Sequence, residues 1–227
     1  LFEVPSNLIL ARVGARRWIA RIMVTWGVIS VAMMFVEGKW SFYALRFALG
    51  VAEAGFLPGI LYYLSQWFPK AERARAVSWF MIGIPLSTVF VGPIAGMLLG
   101  LDGWHGLQGW QWLFLLEGLP AVIFGVVTWY LLPDTPRDVR WLSVAEQNHV
   151  TKRVADEDAA TRARNAGSSS LRTALLHPTV WLLSFVLFAC QCGSYGLTLW
   201  IPQIVKGISA QSDLLVGFIS AIPYIGA

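Results

Sequence analysis

The sequence predicts an all-α integral membrane protein, an incomplete helical bundle of about five full spans and two partial ones. Three observations predict it. Of 227 residues, 56% are apolar and only 13% charged, against roughly 25% charged in an ordinary soluble domain. Mean hydropathy is +0.60. Apolar runs of about 18 residues or more recur, each long enough to cross a hydrocarbon core of about 30 Å as a helix. Together these exclude a soluble globular domain and a disordered chain.

The elements follow in order. Leu1 to Val13 reads as the end of a helix stopped at Gly14. Ile19 to Val36 is the first full span, closed by Glu37-Gly38-Lys39. Ser41 to Phe68 is long and is interrupted by Gly55, Pro58 and Gly59. Pro69 to Arg75 reads as a short charged loop, and Val77 to Leu101 as a span carrying Pro85 and Pro93. A Gly/Trp-rich turn leads to the span Trp112 to Leu132. Pro133 to Pro178 is polar, with Ser143-Val-Ala-Glu146 as a capping box that opens a helix. Thr179 to Ile204 is the fifth full span, Lys206 to Asp213 a turn, and Leu214 begins the last. The domains expected are a helical bundle over 1–132 that lacks its first helix, a central loop over 133–178, and the start of a second bundle over 179–227. Both ends lie inside apolar stretches, so a piece of a longer protein is expected. Prolines 58 and 93 are expected to kink their helices. Glycines 50, 55, 59, 92 and 96 are expected to let helices approach closely.

The net charge is +4, and its placement points to membrane topology rather than nucleic acid. Alternate loops divide the basic residues fourteen to two, with only Lys39 and Lys206 on the poorer side. The positive-inside rule puts the richer side, including the loop 133–178, in the cytoplasm. All tryptophans but Trp26 stand near proposed span ends, where the amphipathic ring prefers the headgroup level. Cys190 and Cys192 share an apolar run and lack zinc-site spacing, so they read as packing residues. The three histidines are scattered. Neither a metal or cofactor site nor a nucleophile–base set stands out, and an enzyme is not expected.

Function is sought among the ionisable groups inside the spans, where a central charge costs roughly 2.5–3.5 kcal/mol. These are Glu3, Arg46, Glu53 and Glu117. Arg46 and Glu53 are seven apart. On a helix that is about 20° short of two full turns and a rise of about 10 Å, so both face one way. A fixed cation can attract an anionic substrate. A carboxyl out of water can carry a proton, because its charge is then expensive. The alternative is an ion pair that only orients helices. Glu117 lies at a depth that suits a resting partner for Arg46 or a packing contact. Glu3 shares a helix face with Ser6 and Asn7, a stripe that either lines a cavity or bonds a neighbouring helix. Gln191 and Tyr195, one turn apart, either contact a hydroxylated substrate or bond another helix.

The loop Arg12-Val-Gly14-Ala-Arg16-Arg17 resembles the signature between helices two and three of the major facilitator superfamily, with Ala11 where that signature carries Asp and Asn7 at its leading Gly. Leu45-Arg46-x-x-x-Gly50 resembles the Arg motif of its fourth helix. The run from Leu45 to Pro58, followed by Trp67-Phe-Pro-Lys-Ala-Glu72-Arg73, is similar to the anion:cation symporter branch. That branch includes tartrate, phthalate, galactonate and hexuronate permeases. The resemblance covers essentially the whole chain, from late in helix two to early in helix eight.

It implies a twelve-helix transporter with a central site and a gating loop at Arg12, Gly14 and Arg16. It also implies Arg46 and Glu53 in substrate binding and Glu53 in proton coupling. The function expected is proton-coupled symport of a small organic carboxylate, such as tartrate or a sugar acid, into a bacterial cell. The expected partners are that anion, protons and the lipid bilayer of the inner membrane, with no nucleic acid, and the protein is expected to be a monomer. An efflux antiporter, or a non-transporting sensor on the same fold, is the alternative.

Overall fold

The computed structural model describes residues 6, 9–10, 13–164, 176–209 and 213–225. They are helical almost throughout, with no strand among them. The helices are α1 (Ala15–Ala32), α2 (Lys39–Glu53), α3 (Phe56–Trp67), α4 (Lys70–Leu99), α5 (Gly109–Leu131), α6 (Val144–Arg164), α7 (Pro178–Ser209) and α8 (Asp213–Ile225). Five segments are long and apolar enough to cross a membrane: Ala15–Phe35, Lys39–Trp67, Lys70–Leu99, Gly109–Leu131 and Pro178–Ile208. These match the five full spans in number and order. Two boundaries differ. The charged stretch expected as a loop is the opening of α4, because the Pro69 carbonyl accepts the amides of Glu72 (3.0 Å) and Arg73 (2.8 Å). The turn expected from Lys206 is the last helical turn of α7.

By its contacts the chain divides into two compact units, residues 1–83 with 97–154, and residues 84–96 with 155–227. The first is built on α1 and α5. A Cβ on Gly27 would stand 2.7 Å from the Gly118 carbonyl, and one on Gly118 would stand 2.8 Å from the Gly27 carbonyl. The two backbones therefore touch, with Val31 and Val122 filling the flanks. Close approach of this kind drives helix association where lipid is as apolar as leucine. Gln111 donates across to the Met34 carbonyl at 2.8 Å. Gly50 makes no such approach, since a Cβ there would meet nothing within 4 Å.

In the second unit the pattern recurs. A Cβ on Gly92 would stand 2.8 Å from the Gly217 carbonyl, and the Thr198 and Tyr224 hydroxyls lie 2.8 Å apart. Cys190 and Cys192, expected to pack, are exposed on α7.

The span Lys39–Trp67 is broken between α2 and α3. Ala54 turns extended (φ −55°, ψ 121°) and Gly55 is left-handed (φ 92°, ψ 5°), a conformation that costs glycine least. The break lies three residues before Pro58, not at it. Pro58 occupies the first turn of α3, where its missing N–H has no helical partner to lose. Arg73 closes the far end of α3, donating to the carbonyls of Ser65 (3.2 Å) and Phe68 (3.2 and 3.3 Å).

The capping box appears as expected. The Ser143 hydroxyl and amide donate to Glu146 Oε2 at 2.7 and 2.8 Å, and the Glu146 amide donates back to the Ser143 hydroxyl at 3.3 Å. The Ser143 hydroxyl, then its amide, hold the Glu146 carboxyl below its usual pKa.

Two predictions follow from this packing and capping. Gly118→Ala lowers thermal stability of the complete protein in detergent by about 1–3 kcal/mol. Gly50→Ala is neutral or stabilises by up to about 1 kcal/mol. Because Glu146 has a depressed pKa when folded, its cap is intact above the unfolded carboxylate pKa and is lost as pH falls through the folded one. Amide protection over 144–147, corrected for intrinsic exchange, falls in that acidic window in the wild type. Glu146→Gln shows no such pH step.

Candidate functional site

Arg46 and Glu53 stand on α2. Its N-terminus is set by Gly38, whose amide donates to the Ser41 hydroxyl (3.1 Å), which donates back to the Gly38 carbonyl (2.8 Å). Leu45, Ala48, Leu49 and Ala52 form the packed side of the helix, at the 3–4 spacing of one face. Arg46, Gly50 and Glu53 form an exposed side. Glu53 is the last helical residue before the break and the central residue of the span Lys39–Trp67. Leu49 and Gly50 both lie between the two charges along the helix, with Gly50 on the exposed side.

The guanidinium of Arg46 sits 5.5 Å from the centre of the Phe42 ring, a cation–π distance. Among the described residues the ion pairs are Arg16–Asp134 and Arg153–Glu72. None joins Arg46 to Glu53 or to Glu117. Glu117 is exposed on α5, next to the Gly118 contact. The ion-pair reading of these acids thus gains no support among the described residues.

Gln191 and Tyr195 lie one turn apart on α7, in the second unit, both exposed. Neither forms a hydrogen bond among the described residues. The interhelical bond of that region belongs to Thr198 and Tyr224 instead. Glu3, Asn7 and Arg12 lie outside the described residues. Ser6, from the same stripe, is described and does bond a neighbouring segment, donating to the Ala54 carbonyl at 2.7 Å.

The loop at Gly14 and Arg16 is held by a residue that the sequence alone does not single out. Asp134, just past α5, accepts the Arg16 amide at 3.0 Å and lies 3.3 Å from its guanidinium Nε. One carboxylate thereby caps the N-terminus of α1, where the helix dipole favours its negative charge, and pairs the Arg16 cation. Gly14 has φ 95°, and a Cβ on it would stand 3.3 Å from Asp134 Oδ1. So an acid just past α5, the helix packed on α1, partners this loop, in which Ala11 stands where the signature carries Asp. The available signal was an acid in the turn after α5, on the same side as the basic loop by the alternation of spans.

With these motifs placed on their helices, residues 1–227 match the Major Facilitator Superfamily. The chain belongs to this superfamily. It is a helical stretch of an integral membrane protein from a family of transporters. A protein named as a tartrate transporter from Agrobacterium vitis is 52% identical over 227 residues, covering all of this chain and 52% of the relative. The quinolone resistance transporter of Acinetobacter baumannii is 46% identical over 225 residues, 99% of this chain and 51% of the relative. The inner membrane transport protein RhmT of Escherichia coli is 36% identical over 225 residues, again 99% and 51%. The chain spans about half the length of the curated relatives it matches.

For the superfamily member described here, Asp134→Ala removes both the cap and the ion pair. It lowers the stability of the complete protein by about 1 kcal/mol. Asp134→Asn keeps an acceptor for the Arg16 amide and loses less. Thermal melts of the two variants in detergent measure the difference.

Proposed function

We propose that the complete protein is a proton-coupled importer of a small organic carboxylate, with tartrate as the first candidate. Arg46 is the counter-charge for the substrate and Glu53 the proton carrier. The observation that carries this reading is the exposed face of α2. It presents a cation and an acid two turns apart, with Gly50 beside them on the exposed side and neither charge in an ion pair among the described residues. A pair kept merely to orient helices would be expected to close on itself or on Glu117.

The proposed cycle starts with Glu53 taking a proton from the outer side. That removes the negative charge which would repel an incoming carboxylate. The anion then pairs with the planar fork of Arg46, an arrangement that permits two parallel hydrogen bonds. Gln191 and Tyr195 offer side chains that form no hydrogen bond among the described residues and are suited to substrate hydroxyls. The loaded, charge-compensated state rocks inward and releases anion and proton. In this reading residues 1–132 and 179–227 belong to two bundles joined by a cytoplasmic segment, 133–178. The loop with Arg12, Gly14 and Arg16 gates on the same side. The protein works as a monomer in a bacterial inner membrane.

The relative named for tartrate, at 52% identity, supports the substrate class. A second reading, proton-driven efflux, is favoured by the relative named for quinolone resistance at 46% identity. The direction of flux under an imposed proton gradient separates the two.

The test uses the complete protein in proteoliposomes with a carboxylate panel that includes tartrate. Glu53→Gln keeps counterflow but loses gradient-driven uptake. Arg46→Lys raises KM about tenfold, because the ammonium lacks the fork. Wild-type behaviour of Glu53→Gln in both assays would make Glu53 a structural acid.

A further inference from the structure

The break after Glu53 leaves a backbone carbonyl to be satisfied. Ala54 is extended, so its carbonyl leaves the helical ladder of α2 just where the span reaches its centre. In a hydrocarbon core such a group must find a partner inside the protein. It finds the hydroxyl of Ser6 at 2.7 Å. That hydroxyl in turn accepts the indole N–H of Trp18 at 3.0 Å. A single hydroxyl thus has both its donor and an acceptor site used, and Ser6 is 7% exposed.

The surroundings hold this relay in place. Leu10, one turn beyond Ser6, and Ile19, next to Trp18, are each 2% exposed. Both face the start of α3, where a Cβ on Gly59 would stand 3.2 Å from Leu10 Cδ1 and 3.7 Å from Ile19 Cγ1. The guanidinium of Arg21 lies 4.0 Å from the centre of the Trp18 ring and so limits its rotation. The segment before α1 and the first turn of α1 therefore grip the break from two directions.

We propose that Ser6 is a positioning residue for Glu53: the Trp18–Ser6–Ala54 relay fixes the backbone directly after the acid and so holds its carboxyl in register with Arg46. This rests on the reading of Glu53 as the proton carrier. The geometry gives the reason. The direction of the Glu53 side chain depends on the backbone that carries it, and that backbone ends its helix one residue later. With the Ala54 carbonyl anchored, only the side-chain torsions of Glu53 remain free. Without the anchor, the Ala54–Gly55 peptide is free to rotate, and the last turn of α2, which ends on Glu53, loses its fixed stop and can fray. The relay also ties the site to the start of α1, four residues from the Gly14 turn that meets Asp134.

The test compares gradient-driven uptake with counterflow in the complete protein, using tartrate as probe, for Ser6→Ala, Ser6→Thr, Trp18→Phe and Glu53→Gln. In Ser6→Ala the ratio of gradient-driven uptake to counterflow falls about fivefold, the scale of one hydrogen bond. Ser6→Thr, which keeps the hydroxyl, restores it. Trp18→Phe keeps the ring under Arg21 but loses the N–H, and lowers the ratio less. Amide exchange over residues 53–57 rises in Ser6→Ala and needs no substrate. An unchanged ratio, a parallel fall of both activities, or unchanged exchange over 53–57 overturns the proposal. If Glu53→Gln uncouples while Ser6→Ala does not, only the positioning role falls. If Glu53→Gln itself stays coupled, the proton-carrier reading falls, and this one with it.

Discussion

Lipid offers no partner to a peptide N–H or C=O, and that constraint shapes the whole molecule. It makes every spanning segment helical, and it makes any interruption of a helix a local problem that the rest of the chain must solve. The interruption at Ala54–Gly55 is the instructive case. A left-handed glycine permits the turn, Pro58 sits where its missing N–H costs nothing, and Ser6 accepts responsibility for the carbonyl set free. Two neighbouring residues and one from far earlier in the sequence serve one break, and the break stands beside the acid at the middle of the span.

The same lack of a hydrophobic force between helices explains how the segments hold together. In the first unit α1 and α5 meet backbone to backbone through Gly27 and Gly118, and in the second Gly92 meets Gly217. Such contacts rest on dispersion over a small distance, so they tolerate no added methyl group. They also leave the long apolar faces of α4 and α7 open. None of the apolar window of Pro178–Ile208 is buried within the chain. Charge follows a different logic at the ends of the helices. Asp134 at the start of α1 and Arg73 at the end of α3 each sit where the exposed amides or carbonyls favour their sign. Arg46 and Glu53 have no such helix-end duty, which is why they stand out.

Much of this was legible before any coordinates of a neighbour were known. Span number, span order and the capping box at Ser143 depend on local sequence, because length, hydropathy and hydrogen bonds three residues apart are local properties. The shared face of Arg46 and Glu53 also follows from helical period alone. The loop expected over Pro69–Arg75 is helical from Lys70, because charge alone does not mark irregular chain. A helix emerging from a membrane can carry charges on its first turns, and the Pro69 carbonyl starts this one early. Gly50 has the motif and size of a packing residue. On the helix it falls on the exposed side with the two charges, and a Cβ there would meet nothing within 4 Å.

What the sequence determined by itself was therefore the class of molecule, the order of its spans and the candidates for its chemistry, since each is written in composition or in short periodic spacing. What only the tertiary structure decided was pairing. Asp134 found the Gly14 loop across more than a hundred residues, Ser6 found Ala54, Gly27 found Gly118, and Arg46 and Glu53 were left without an ion pair among the described residues. The physical reason is the same in each case. A hydrogen bond, an ion pair or a backbone contact depends on distance in space, and residues distant in sequence carry no local mark of the neighbour that folding will bring to them.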